Sequence, residues 1–201
     1  MKGNEDLSDS DGVELVKIAR RAVTEFLENN SKINDDTFNS KFDLATGVFV
    51  TLNKRDALRG CIGYPLPVRK LSEGLIDAAI SAATHDTRFN QVTVDELDNI
   101  IFEVTVLTPP VEIKVDEPSE YLKKINVGTD GLIVEKEYAS GLLLPQVPTE
   151  YGWNTEEFLE HTCQKAGLEK NAWKDRDTKI SKFQGIIFKE ESPSGKIMRI
   201  I

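Results

Sequence analysis

The sequence predicts an α+β protein in which a largely antiparallel sheet is covered by helices. Three observations carry this. Segments rich in β-branched and aromatic residues are joined mostly by turns, without regular strand–helix–strand alternation. Two stretches, at 15–27 and 71–83, repeat their apolar residues at helical spacing. The chain of 201 residues, 39% hydrophobic and 29% charged, has the composition of one globular domain. It is long enough to bury about two-thirds of its unfolded surface without a disulfide or metal staple.

After an acidic lead-in, Leu15, Ile18, Ala19, Ala22, Val23, Phe26 and Leu27 define the first helix, with Asp9, Ser10 and Asp11 available as caps. A polar loop runs to Asp43. Strands at 46–53 (TGVFVTLN) and 57–63 (ALRGCIG) flank the turn Lys54-Arg55-Asp56 and read as an antiparallel hairpin. The Pro-rich stretch 64–67 leads to an alanine-rich helix, which ends near His85. Thr93 and Glu96 form a capping box before the strongest strand, 99–107, and Pro109-Pro110 stops it. Further on, 117–124 reads as a short helix, and 132–135 and 142–146 as strands. Asn154 and Glu157 cap a helix that ends at Gly167. Residues 179–189 read as one final strand, followed by a Ser-Pro-Ser-Gly turn or frayed end.

Composition removes several function classes. No apolar run approaches the ~20 residues of a membrane span, and the polar start lacks a signal-peptide core. A cytoplasmic protein is expected, with no membrane association. Two isolated cysteines, Cys61 and Cys163, and two histidines, His85 and His161, argue against a disulfide framework and against a bound metal. The net charge of −9 disfavours nucleic acid as a partner. Nucleotide-loop, dinucleotide, serine-hydrolase and zincin signatures are missing. The sequence names no cofactor.

Candidate chemistry concentrates in four places. In Leu58–Gly63 strand alternation puts Arg59 and Cys61 on one face. Gly60 leaves room for a backbone or ligand, and Gly63 suits a conformation closed to other residues. Lys54, Arg55, Arg59, Arg69 and Lys70 make residues 53–70 a basic island, and a thiol beside an arginine there reads as a nucleophile or ligand holder, with a buried structural cysteine as the alternative. His85-Asp86-Thr87-Arg88-Phe89 offers a base for Cys61, a carboxylate to orient it and a guanidinium for an anion. Its alternative is a helix cap beside a local ion pair. Glu103 lies in an apolar strand and needs a partner, Arg59 or Arg88, if it is not solvated. Gln146 and Trp153 sit in a proline-stiffened loop that offers an amide and a stacking face.

LRGCIG, the alanine-rich helix, HDTRF, FEVTVL, DGLIVEK and LLPQVPTEYGW…FLEHTCQKAGL occur in that order, and together they resemble the AMMECR-domain family. The resemblance spans about residues 12–190, within a single domain of residues 1–201. It implies an α+β fold with a larger sheet-based lobe and a smaller second lobe, and a cleft near the LRGCIG hexapeptide. It carries no established activity. It does suggest Memo-like or radical-SAM proteins as partners, and a role in base or cofactor modification. Arg59, Gly60, Cys61, Gly63, Asp86, Arg88, Phe89, Glu103, Gly131, Pro145 and Trp153 match the family's motif positions, whereas the Cys61–His85 pairing is an inference from this chain alone.

Three function classes follow. One is an enzyme acting on a small anionic substrate, with Cys61 as nucleophile, Arg59 and Arg88 holding the anion, and His85, Asp86 or Glu103 moving protons; Gly60, Gly63, Gln146 and Trp153 would line its ligand site. A second is a non-catalytic adaptor or ligand-binding module. A nucleic-acid binder is a third class, disfavoured by charge.

Overall fold

The computed structural model describes residues 7–34, 38 and 40–200. The first six residues of the acidic lead-in and residues 35–37 and 39 of the polar loop lie outside them. The chain divides into two compact units. One comprises the residues through Thr108 together with those from Ile186 onward, and the other is Pro109–Gly185.

In the first unit five strands run in the order β2-β1-β3-β8-β9. They are β1 (Val48–Lys54), β2 (Ala57–Tyr64), β3 (Ile100–Leu107), β8 (Gly185–Glu190) and β9 (Ile197–Arg199). The β1–β2 hairpin is antiparallel, as expected, and closes at Lys54 opposite Ala57. Its two-residue turn places Arg55 and Asp56 both at positive φ, 51° and 61°, the left-handed geometry that matches strand twist.

Helices α1 (Asp9–Asn29) and α2 (Leu71–Thr84) cover one face of this sheet. Val48, Val50 and Leu52 of β1 and Ile100, Phe102, Val104 and Val106 of β3 point at them and are buried. Leu15, Ala19, Ala22, Leu75, Ala79 and Ala82 supply the other side of the core. Phe49, Thr51 and Asn53 of β1 and Ile101, Glu103 and Thr105 of β3 are half-buried and form the opposite face. The cap of α1 is Ser8, one residue before those expected. Its hydroxyl accepts the Asp11 N–H and its own N–H donates to the Asp11 carboxylate, completing a capping box.

The second unit holds a four-stranded sheet, ordered β4-β7-β5-β6. Its strands are β4 (Val111–Glu112), β5 (Gly131–Lys136), β6 (Ala139–Leu143) and β7 (Lys179–Phe183). Helix α5 (Thr155–Lys165) packs on it, and α3 (Tyr121–Lys124) and α4 (Gln146–Tyr151) are short. Phe158, Leu159, Cys163, Trp173 and Ile180 belong to its core.

Two sequence expectations are corrected here. The strand expected at 179–189 is two strands, β7 and β8, in different sheets. They part at Gln184, whose side-chain amide donates to the fully buried Asp130 carboxylate. The strand expected at 142–146 ends at Leu143, and Gln146 opens helix α4. Pro145 at the cap and Pro148 in the first turn fit a helix start, where no N–H is required.

Candidate functional site

Cys61 lies on β2, the edge strand of the five-stranded sheet. An edge strand leaves N–H and C=O groups unpaired on its outer side. At Cys61 those groups are taken by an ion pair. Asp86 Oδ2 accepts the Cys61 N–H at 2.9 Å, and Arg88 Nη2 donates to the Cys61 carbonyl at 3.2 Å. Asp86 and Arg88 are joined by a fork, Nε to Oδ1 at 2.9 Å and Nη2 to Oδ2 at 2.7 Å, and Asp86 also accepts the Arg88 N–H. The two side chains together act as a substitute strand that grips the backbone of a single residue.

Position makes this grip. Helix α2 ends at Thr84 with His85 as its cap, so Asp86 and Arg88 emerge beside β2. Gly60 allows the approach: a Cβ there would stand 2.1 Å from the Ala82 carbonyl oxygen of α2. Of the two occupants expected beside Gly60, a backbone or a ligand, the helix backbone is the one that approaches it. Gly63 differs from expectation. Its φ is not positive, and its lack of a side chain is required because a Cβ would meet the Phe49 ring at 2.2 Å and the Val48 carbonyl at 2.5 Å.

The Arg88 fork, together with the backbone N–H groups of Cys61 and Arg88, holds the Asp86 carboxyl well below the usual carboxylate range despite its burial. Hydrogen bonding to Asp86 in turn raises Arg88 above its ordinary value, and the Cys61 sulfur adds to that shift. Asp86 is thus a fixed anion in this structure. The proton-moving role expected of it does not suit a carboxyl this acidic.

The thiol side of Cys61 faces away from the helices. Cys61 pairs with Thr51 across the hairpin, and Thr51 pairs with Glu103 on β3. Directly opposite residues share a face, so the three form a row on the half-exposed side of the sheet. The Thr51 hydroxyl donates to Cys61 Sγ at 3.3 Å. At the far end Lys189 of β8 approaches Glu103 at 3.5 Å. Thus Glu103 meets Lys189 and not Arg59 or Arg88, as the sequence had suggested. Sequence reasoning missed Thr51 and Lys189. Thr51 was visible only as a polar residue in an alternating strand, and its place beside the thiol depends on the hairpin register.

Arg59 leaves this row. Leu52 opposes Gly60 and Asn53 opposes Leu58, so Arg59 is the extra residue of a β-bulge. Its guanidinium forks onto Glu96 at 3.1 and 2.9 Å and donates to the carbonyls of Asn90 and Gln91. Lys54, from the helix-facing set of β1, meets the same carboxylate at 2.8 Å. The expectation that Arg59 and Cys61 share a face is therefore corrected: the bulge breaks the alternation on which it rested. Hydrogen bonds from Arg59 and then Lys54 lower the Glu96 carboxyl to about 2. Arg59 fastens β2 to the segment after α2.

His85 caps α2. Its N–H donates to the Ser81 carbonyl at 2.8 Å, and its Nδ1 lies 2.6 Å from Thr84 Oγ1. The Thr84 hydroxyl proton is directed to the Ile80 carbonyl, so Nδ1–H is the donor to Thr84. The ring is exposed and has no hydrogen bond to Cys61, so the expected Cys61–His85 pairing is not formed. Gln146 and Trp153 belong to the second unit. Gln146 is exposed, and Trp153 is stacked between Tyr151 (centroids 5.0 Å apart) and His161 (3.8 Å). Among the described residues no group of three His, Cys, Asp or Glu side chains is placed to hold a metal ion, and no helix is long and apolar enough to cross a membrane.

Comparison with known proteins meets this geometry at the level of the whole chain. The AMMECR1 family model matches residues 16–188. A protein of Methanothermobacter thermautotrophicus is 52% identical over 186 residues, covering 92% of this chain and 97% of its own. One of Methanopyrus kandleri is 46% identical over 196 residues, covering 96% and 95%. The crystal structure of an uncharacterized protein from Pyrococcus horikoshii matches with a TM-score of 0.80 at 50% identity, over 96% of this chain and 98% of that one. With the family model spanning most of the sequence and these relatives matched nearly end to end, the chain belongs to the AMMECR1 family.

Proposed function

We propose that this protein is a cysteine-dependent enzyme whose reaction face is the half-exposed side of the five-stranded sheet, with Cys61 as the nucleophile. One observation carries the reading. The backbone of Cys61 is gripped at both its N–H and its C=O by the Asp86–Arg88 pair, while its sulfur, on the open face, accepts a hydroxyl hydrogen bond from Thr51. Packing alone does not call for a charged clasp on one residue of an edge strand. Holding a reacting group in one orientation is what catalysis calls for. A hydroxyl donating to sulfur serves the thiolate, the nucleophilic form.

Glu103 lies two strands from Cys61, about 10 Å away by strand spacing. It therefore acts on the far end of a bound molecule, accepting a hydrogen bond or a proton there, with Lys189 as its counter-ion. A substrate of small-molecule size spans that distance. The anion-holding role expected of Arg59 and Arg88 has little support, since Glu96 and Asp86 occupy both guanidinium forks. In this reading the two arginines are positioning residues.

A second reading, as an adaptor for a protein partner such as the Memo-like or radical-SAM proteins suggested by the resemblance, is favoured by Leu66 and Val68. These are 52% and 73% exposed in the loop after β2. Alkylation separates the two readings. Native protein treated with iodoacetamide at pH 7 is expected to lose Cys61 faster than a free cysteine peptide. Cys163 should stay intact, because burial removes access and pushes its thiol up to about 11. A Cys61 that reacts more slowly than the peptide would rule out the enzyme reading.

A further inference from the structure

We infer that the same sheet face continues into a second subsite, a cavity of about 290 Å³ that takes an apolar body ending in a cationic nitrogen. The inference rests on the reaction face just described and names the class of molecule that it receives.

The first ground is location. Asn53 and Ile101 line the cavity and are direct cross-strand partners. They lie two residues along β1 and β3 from Thr51 and Glu103, hence on the same face. Lys189 belongs to both places, as it lines the cavity and approaches Glu103 at 3.5 Å. A molecule lying in the cavity therefore abuts the row that ends at the Cys61 thiol.

The second ground is chemistry. Ile101, Met198 and Ile200 supply apolar surface. Met198 and Ile200 are 36% and 52% exposed, so there is apolar area for a ligand to cover. The volume is at the small end for ligand pockets, which suits a compact molecule.

The third ground is charge. Glu190 lines the cavity, but its carboxylate is bound by Arg20 at 2.7 and 2.6 Å and accepts the Phe102 N–H. The charge of Lys189 is offset by Glu103. Asp56, held at the hairpin turn, and Glu191 remain, and neither carboxylate has an ion-pair partner among the described residues. Their combined field favours a cation, and Asn53 can accept one of its hydrogens.

The test uses the Cys61→Ser chain, so that binding is read without the thiol. n-Hexylamine and hexanoate, matched in length and opposite in charge, are titrated while the backbone amide signals of Ile101 and Met198 are followed. Saturable shifts with hexylamine and little response to hexanoate are expected. Asp56→Asn combined with Glu191→Gln should weaken hexylamine binding about fivefold. Equal response to the two probes, or stronger response to hexanoate, overturns the inference. The outcome is separable from the enzyme reading. Hexylamine binding together with a sluggish Cys61 in the native chain supports the cavity as a binding site and rejects the enzyme. A fast Cys61 without amine preference rejects the cavity inference alone.

Discussion

Gly60→Ala is expected to destabilise the first unit by about 3 kcal/mol, at the upper end for overpacking a core. The new Cβ would stand 2.1 Å from the Ala82 carbonyl oxygen. That atom is helix backbone and cannot swing aside like the end of a flexible side chain. Relief requires α2 to lift from β2, which loosens the core formed by Leu75, Ala79 and Ala82 against Val50 and Leu52. It also draws Asp86 away from Cys61, because only the cap residue His85 separates the end of α2 from the clasp. Gly74→Ala on the same helix is the control. Its Cβ would meet Val48 Cγ1 at 3.1 Å, a side-chain methyl that can give by a few tenths of an ångström. The gain in helix propensity, up to about 1 kcal/mol, should leave that variant near neutral. Urea midpoints of the two variants measure the contrast.

Asp86→Ala is expected to cost about 3 kcal/mol at pH 7 and less in acid. The carboxylate is 5% exposed, and it satisfies the Cys61 N–H, the Arg88 N–H and the Arg88 fork. Removing it forfeits charge-assisted hydrogen bonds worth about 1.5–3 kcal/mol each when buried. Arg88 is 55% exposed and can turn to solvent, so screening keeps the total near one such bond. The pH dependence has a definite sign. The folded-state value lies below the ordinary 3.8 of an unfolded aspartate, so the contribution is complete above about pH 5 and is lost as pH falls toward the folded value. The stability gap between the native chain and the variant should therefore be widest at pH 7 and should narrow by pH 3. A gap of constant size would mean that the Asp86 carboxylate is not the source of the effect.

What the sequence showed and what it hid divide along a physical line. Local chemistry was legible. The Thr93–Glu96 and Asn154–Glu157 capping boxes formed as read, because both partners lie within three residues. The hairpin at 48–64 formed because alternation and turn length agree. Long-range pairing was not legible. The split of 179–190 between two sheets follows from the distant strands that each half joins, β5 for β7 and β3 for β8. The bulge at Arg59 leaves no mark in the local pattern, and it decided which residues stand beside the thiol. Asp86 and Arg88 were picked out as site groups or, alternatively, as a local ion pair. That the pair would close on the backbone of Cys61 depends on where α2 ends relative to β2. Likewise the Thr51–Glu103 adjacency exists only in the register of β1 on β3.

In the proposed enzyme the Asp86–Arg88 clasp serves the Cys61 thiol as well as the fold. The direct measurement is the second-order rate of Cys61 alkylation by iodoacetamide at pH 7 in the native chain and in Arg88→Ala, with circular dichroism to show that both are folded. Arg88→Ala removes the positive charge nearest the Cys61 carbonyl and leaves the Asp86 carboxylate unbalanced beside the Cys61 N–H. Both changes loosen the hold that keeps the Cys61 backbone, and with it the sulfur, in one orientation. The rate should fall about fivefold or more, while Cys163 stays unreactive in both chains. Equal rates in two folded proteins would show that the clasp does nothing for the sulfur, and would leave Cys61 as one more residue of an edge strand.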